Sequence, residues 1–348
     1  MNAFSAMPSA AGEMDVEPVL KVEGLKTRLH LKQGVLPAVE DVTFSVLPGE
    51  TLGIVGESGC GKSMTALSVM RLLPRPIGRI EEGSVTIAGV GDITKLSERR
   101  MRRVRGNDIS MIFQEPMTSL NPVFRVGHQI RESIRVHQQV SRGEARRRAI
   151  AMLEQVGIPL PAERYRSFPH QLSGGMRQRV MIAMALACRP KVMLADEPTT
   201  ALDVTIQAQI LKLMNDLKRD IRTAIVLITH DLGVIATMAQ RVLVMYAGVV
   251  VEEADVNSLF ARPLHPYTQG LMRSVPHPGK TVARAGRLET IKGTVPGLFD
   301  LPRGCRFSDR CPMVFEPCRK LEPPLAVPDE LPLSRRKVRC WLYVRPPQ

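Results

Sequence analysis

Along the first sixty residues the apolar positions fall in short runs. Segments 19–22, 38–46 and 51–55 predict β-strands, broken by Gly34 and by the turn Pro48-Gly49-Glu50. A helix is predicted over about 62–73, stopped by Pro74 and Pro76, which cannot continue a helical ladder. Segments 83–88 and 108–113 read as further strands, and 125–190 as mostly helical. Segments 192–195 and 224–228 are apolar without alternation, the pattern of strands covered on both faces of a parallel sheet. Strands alternating with helices define an α/β domain. After Arg262 the pattern changes: proline and glycine become dense, and four of the six cysteines fall between 305 and 340. The expected organisation is a frayed N-terminus (1–18), one large domain (19–262) and an appendage (263–348), with no internal repeat.

The net charge of +14 raises the question of a polyanionic partner. Basic residues cluster at Arg99, Arg100, Arg102, Arg103 and Arg105, and again at Arg142, Arg146, Arg147 and Arg148. The second cluster sits on a predicted helix that opens with the capping pattern Ser141-Arg-Gly-Glu144 and repeats apolar residues at Ala149, Met152, Leu153 and Val156. A solvated helix face and attraction to anionic lipid headgroups both fit it. Aromatic residues make up 4% and do not interleave with the basic ones, so nucleic-acid binding is not expected. No apolar run reaches the roughly 18–20 residues that cross a bilayer. The first 17 residues hold no apolar stretch behind a basic start, so no secretory leader is expected. These features predict a cytoplasmic protein that meets any membrane through a partner.

The chemistry begins at Gly56-Glu57-Ser58-Gly59-Cys60-Gly61-Lys62-Ser63, which fits the P-loop spacing and lies between a predicted strand and helix. Its glycines let backbone N–H groups turn inward around phosphates. Lys62 adds charge at the β/γ-phosphates, Ser63 offers a hydroxyl to Mg²⁺, and the helix start through Met64 adds its dipole. Cys60 reads as a small filler rather than a nucleophile. Lys191-Val-Met-Leu-Ala-Asp196-Glu197 is an apolar strand ending in two acids, which repel unless a cation or water network sits there. Asp196 suits the Mg²⁺ shell and Glu197 the activation of an attacking water, the division that phosphoryl transfer requires. Ile225-Val-Leu-Ile-Thr229-His230 and Met111-Ile-Phe-Gln114 each deliver a polar residue at an apolar strand's tip, weak signals when taken alone.

Leu172-Ser173-Gly174-Gly175-Met176-Arg177-Gln178-Arg179 is a second Ser/Gly-rich start to a predicted helix, and so a second potential phosphate cradle. One nucleotide needs one cradle, so a second implies an ATP shared between two subunits. Together with Ala201-Leu202-Asp203, these motifs across 19–262 resemble the ATP-binding-cassette (ABC) ATPases. That resemblance implies a P-loop NTPase fold: a RecA-like core, an N-terminal antiparallel β subdomain and a helical subdomain at about 118–185. It implies a head-to-tail dimer with two sandwiched ATPs. Glu197 would be the catalytic base, His230 would contact the γ-phosphate, and Gln114 would read Mg²⁺ and the transmembrane partner. Ser173, Gly174, Gly175 and Gln178 would serve the partner's ATP, and Asp203 would link the two sites. One departure stands out: the family stacks adenine on an early aromatic residue, yet Arg28-Leu29-His30-Leu31 has none, leaving Leu29 or His30 as substitutes.

Leu264-His265-Pro266-Tyr267-Thr268-Gln269-Gly270-Leu271, Gly304-Cys305-Arg-Phe-Ser-Asp-Arg310-Cys311-Pro312 and the loop Gln114–Pro122 are similar to importer ATPases for oligopeptides, dipeptides and nickel. The resemblance implies a second ATPase subunit, two membrane permeases and an extracytoplasmic peptide-binding protein, with this chain peripheral on the cytoplasmic face of the inner membrane. Cys305, Cys311, Cys318 and Cys340 are separated by five, six and twenty-one residues. A reducing cytosol disfavours disulfides, and four thiols in a Pro-rich segment instead suggest a metal clamp. Zinc knuckles favour two to four residues between paired cysteines. The looser spacing suits a [4Fe–4S] cluster, and the subfamily resemblance points the same way, with zinc or free thiols as alternatives. A soluble cassette ATPase of DNA repair or translation is the rival reading; it expects coiled-coil insertions or a second cassette, and neither is visible.

Overall fold

The computed structural model describes residues 16–114, 119–200, 202–274, 291–332 and 335–346. The chain opens with β1 (Leu20–Leu31) and β2 (Gly34–Val46), followed by β3 (Thr51–Val55). After the helix Lys62–Val69 come β4 (Gly78–Ile87), the short β5 (Gly91–Asp92) and β6 (Ile109–Ile112). The rest are β7 (Val192–Asp196), β8 (Ala224–Ile228), β9 (Arg241–Tyr246), β10 (Val249–Asp255) and β11 (Lys337–Val338). They form two sheets, a four-stranded β2-β1-β4-β5 and a seven-stranded β11-β10-β9-β3-β8-β7-β6. The centre of the larger sheet is parallel, through β9·β3, β3·β8, β8·β7 and β7·β6.

Every residue of β3, β7 and β8 is buried, as the non-alternating apolar runs predict. Val192, Leu194, Val226 and Ile228 face one core shared with Leu20, Val22 and Phe44 of the small sheet. Met193, Ala195, Ile225 and Leu227 belong to the opposite core, with Ile130, Leu153 and Val180 from the helices Val126–His137, Arg142–Gln155 and Gly174–Leu186. Burial on both faces explains why the sequence has no period of two there.

Two expectations need correction. The first strand runs to Leu31 instead of ending at residue 22, because Gly24 (φ 55°) sits in a bulge and pairing with β2 resumes beyond it. The first helix stops at Val69, before the prolines: Arg71 turns left-handed (φ 53°), and its guanidinium binds the carbonyls of Ile93 (2.9 Å) and Leu96 (2.6 Å). The first arginine cluster divides between an exposed helix face and an inward side chain. It forms the helix Glu98–Val104, and Arg105 turns inward to Glu98 and to the carbonyls of Met70 and Arg71. On the second basic helix Ser141 caps the Glu144 N–H, while Arg147 and Arg148 pair with Glu144 at the surface.

The C-terminal segment joins the sheet itself. β11 pairs antiparallel with β10, setting Glu252 opposite Val338. Glu252 is wholly buried, accepts from the N–H groups of Leu264 and His265, and pairs with Arg336 at 3.0 Å. Arg306 reaches the Ala247 carbonyl and Arg339 that of Val250. Among the described residues no helix is long and apolar enough to cross a membrane.

Candidate nucleotide site

β3 delivers the chain to Gly56, where only glycine fits. A Cβ there would stand 2.2 Å from the Met245 carbonyl oxygen, and one at Gly61 (φ 103°) would stand 2.7 Å from that of Ala38. Ser58 and Gly59 are exposed at the loop's tip, and Met64 is half-buried in the first turn of the helix. The Lys62 ammonium is held over the loop by the carbonyls of Gly56 (2.8 Å) and Glu57 (3.0 Å). Cys60 is fully buried, and burial pushes its thiol above the ordinary range, which keeps it protonated.

β7 ends at Asp196, only 4% exposed, with Oδ1 lacking a partner among the described residues. Burial raises its pKa, against the opposing hydrogen bond with the Ser63 hydroxyl. A buried carboxylate oxygen without a partner beside a hydroxyl is a hard-oxygen donor set, and it fits Mg²⁺ and its water shell.

Glu197 adopts a left-handed backbone (φ 46°), a strained conformation that aims its side chain off the strand end. Three tips converge on its carboxylate. His230 Nδ1 lies 3.1 Å from Oε1, while Gln114 Nε2 (3.1 Å) and the Thr200 hydroxyl (2.9 Å) donate to Oε2. Burial pushes its pKa up, but the bonds from His230 and Thr200 and the charge of Lys62 outweigh that and hold it below the usual carboxylate range. The carboxylate is therefore ionised at neutral pH, ready to accept a proton from water. In the sequence, only its place three residues after Glu197 marks Thr200.

The second cradle stands open. Ser173 and Gly174 are exposed, and Ser173 Oγ accepts from Met176 N–H at 3.3 Å. Gly175 lies against Ile206, at the start of the helix Val204–Ile221 that Asp203 caps. Gln178 is buried and donates to the Pro198 carbonyl, so its amide is engaged within its own chain. Ala201 and residues 115–118, part of the predicted motifs, lie outside the described residues. Near the adenine stretch, Arg28 pairs with Glu40 (2.6 Å) and His30 lies 3.3 Å from Glu81.

The four tail cysteines line one closed pocket with His265, Phe307 and Trp341, and the space among them is about 10 Å³ as the side chains stand. Cys305 donates its N–H to the Cys318 carbonyl at 2.8 Å. Burial, reinforced by neighbouring thiols, pushes Cys305 and Cys340 up to about 12. Among the described residues no group of three or more His, Cys, Asp or Glu is arranged to hold a metal ion. Two further contacts escaped the sequence: Tyr267 and Arg310, both from the tail, bind Glu57 of the P-loop.

Residues 39–200 match the ABC transporter family, and 251–318 match the oligopeptide/dipeptide transporter C-terminal region. The chain belongs to the ABC transporter ATPases, in the branch that carries this C-terminal region. It is 50% identical to the oligopeptide transport ATP-binding protein AppD of Bacillus subtilis, over 93% of this chain and 97% of that one. It is 49% identical to the dipeptide transport ATP-binding protein DppD of Escherichia coli, over 88% and 92%. The dimeric cassette MJ0796, solved in a post-hydrolysis state with ADP and Pi, superposes with a TM-score of 0.61 at 27% identity, over 68% of this chain and 98% of that one.

Proposed function

We propose that this chain is the ATP-hydrolysing subunit of a bacterial ABC importer for dipeptides or oligopeptides. The convergence of Gln114, Thr200 and His230 on Glu197, beside the Ser63–Asp196 pair, carries the reading. Glu197 takes the proton of the attacking water, and His230 moves from the carboxylate toward the γ-phosphate. Lys62 leaves the loop carbonyls for the β/γ-phosphates. Ser63, Gln114 and Asp196 hold Mg²⁺, which neutralises phosphate charge when bound. The tip Ser173–Gly175, exposed at Ser173 and Gly174 and with Asp203 beside it, caps the ATP of a second ATPase subunit.

The cassette occupies 19–262, with a helical subdomain at about 118–185, and 263–348 forms the importer-type extension. Two permeases anchor the pair at the cytoplasmic face of the inner membrane, and an extracytoplasmic binding protein supplies the peptide. The names of the relatives and the matched C-terminal region support peptide over nickel. In the tail, Cys305, Cys311, Cys318 and Cys340 would be the ligands of a [4Fe–4S] cluster, which would act as a structural clamp. That all four thiols line one pocket supports this donor set.

Vesicles carrying this chain with its permeases, partner ATPase and binding protein are expected to take up labelled peptide only with ATP. Uptake that persists with the Glu197→Gln chain counts against the assignment. Anaerobically purified protein is expected to hold about four irons and four sulfides per chain, lost in Cys311→Ser. Stoichiometric zinc replaces the cluster reading, and no metal removes it.

A further inference from the structure

Glu57 is the second residue of the P-loop, and the tail grips it twice. Its backbone N–H donates to the Tyr267 hydroxyl at 2.8 Å. Its carboxylate receives both arms of the Arg310 guanidinium, at 2.7 and 3.1 Å, a bidentate pair between residues 253 positions apart. Arg310 is itself fixed. Its side chain is only 5% exposed, lies over the rings of Tyr246 (5.7 Å) and Phe307 (6.0 Å), and donates to the carbonyls of Lys292 and Gly293. The Glu57 carbonyl in turn accepts from Lys62 Nζ, so the same residue helps orient the phosphate-binding ammonium. A cavity of about 710 Å³, lined by Gly56, Glu57, Ser58, His230, Ile291 and Gly293, puts the contact beside the nucleotide site.

A P-loop works by holding its N–H groups and lysine in place before phosphate arrives, and order fixed in advance need not be supplied by binding. A glutamate inside such a loop is a liability, because its charge repels phosphate. The arginine removes that liability and turns the side chain into an anchor. We propose that Arg310 is a positioning residue for the P-loop, fixing Glu57 and through it Lys62, so that the C-terminal tail sets the ATP affinity of the cassette. This goes beyond the function proposed above and holds whatever the four cysteines carry.

The test is titration of the purified full chain with a fluorescent ATP analogue, alongside steady-state KM and kcat. Arg310→Ala is expected to weaken binding about tenfold, the equivalent of one charge-assisted contact, and to raise KM more than it lowers kcat. Arg310→Lys keeps the charge but loses the fork, and should fall between. Lys320→Ala, on an exposed tail helix, should change neither constant. Glu57→Gln gives a decisive sign and leaves Arg310 its carbonyl and ring contacts, which protects the tail if Arg310→Ala fails to fold. Were Glu57 only an unwanted charge, its neutralisation would tighten ATP or leave it unchanged, and either result overturns the proposal. The proposal expects weakening, and expects Arg310→Ala to add little in the Glu57→Gln background. Equal effects in both backgrounds also overturn it.

Discussion

Strands β7 and β8 and the tail segment from Arg306 to Arg339 exclude water by different means. The strands interleave Val192, Leu194, Val226 and Ile228 with one core and Met193, Ala195, Ile225 and Leu227 with another. The tail, rich in proline, docks by buried arginines: Arg306 on Ala247, Arg310 on Glu57, Arg336 on Glu252 and Arg339 on Val250. Apolar packing is non-directional and tolerant, whereas a buried ion pair requires its geometry and is costly to leave half-made. Part of the positive charge thus serves as joinery between tail and sheet, and a charge-based search for polyanionic partners misreads it.

The contrast is sharpest at the Arg336–Glu252 pair, where the acid is wholly buried. Arg336→Met is expected to destabilise the chain by about 3–5 kcal/mol, because it strands a buried carboxylate. The double variant Arg336→Met/Glu252→Gln, which removes the buried charge while keeping an oxygen for the Leu264 and His265 N–H groups, should recover part of that loss in thermal unfolding. A single variant as stable as the parent would break the comparison.

A pH dependence follows at the same junction. His265 is buried, its Nδ1 accepts from Tyr267 N–H, and burial holds its pKa down at about 3 against an ordinary 6.5. Below about pH 6.5 the unfolded chain binds a proton that the folded chain refuses until near pH 3. The contribution is therefore full above that window and falls with pH inside it, by at most about 1.4 kcal/mol per pH unit. His265→Gln should flatten the dependence of the unfolding midpoint between pH 6.5 and 4.5; an unchanged slope would show that the ring is not buried neutral.

The smallest effect is local. Ser173→Ala removes a helix cap worth about 1 kcal/mol and should lower stability by no more than that, while cooperative ATP turnover with the partner subunit falls much further. If both fall only slightly, the exposed tip is merely a cap.

What sequence made legible follows the same division. The buried strands, the P-loop and the Ser141 and Ser173 caps are encoded within a few residues of one another, so period and spacing reveal them. The convergence of Gln114, Glu197 and His230 unites three strand ends and was reached only through family resemblance. Arg310 and Glu57 lie 253 positions apart with no period to connect them, and nothing local marks either as the other's partner. The overextended first helix failed for a related reason: Arg71 leaves the helix to bind carbonyls some twenty residues ahead.

The most direct test of the account is single-turnover ATP hydrolysis by the Glu197→Gln chain, with nucleotide binding measured on the same sample. Loss of a general base should slow hydrolysis by about 10²–10⁴-fold while ATP remains bound. A rate equal to the parent's, with binding intact, would contradict the assignment of Glu197 as the base on which the proposed site is built.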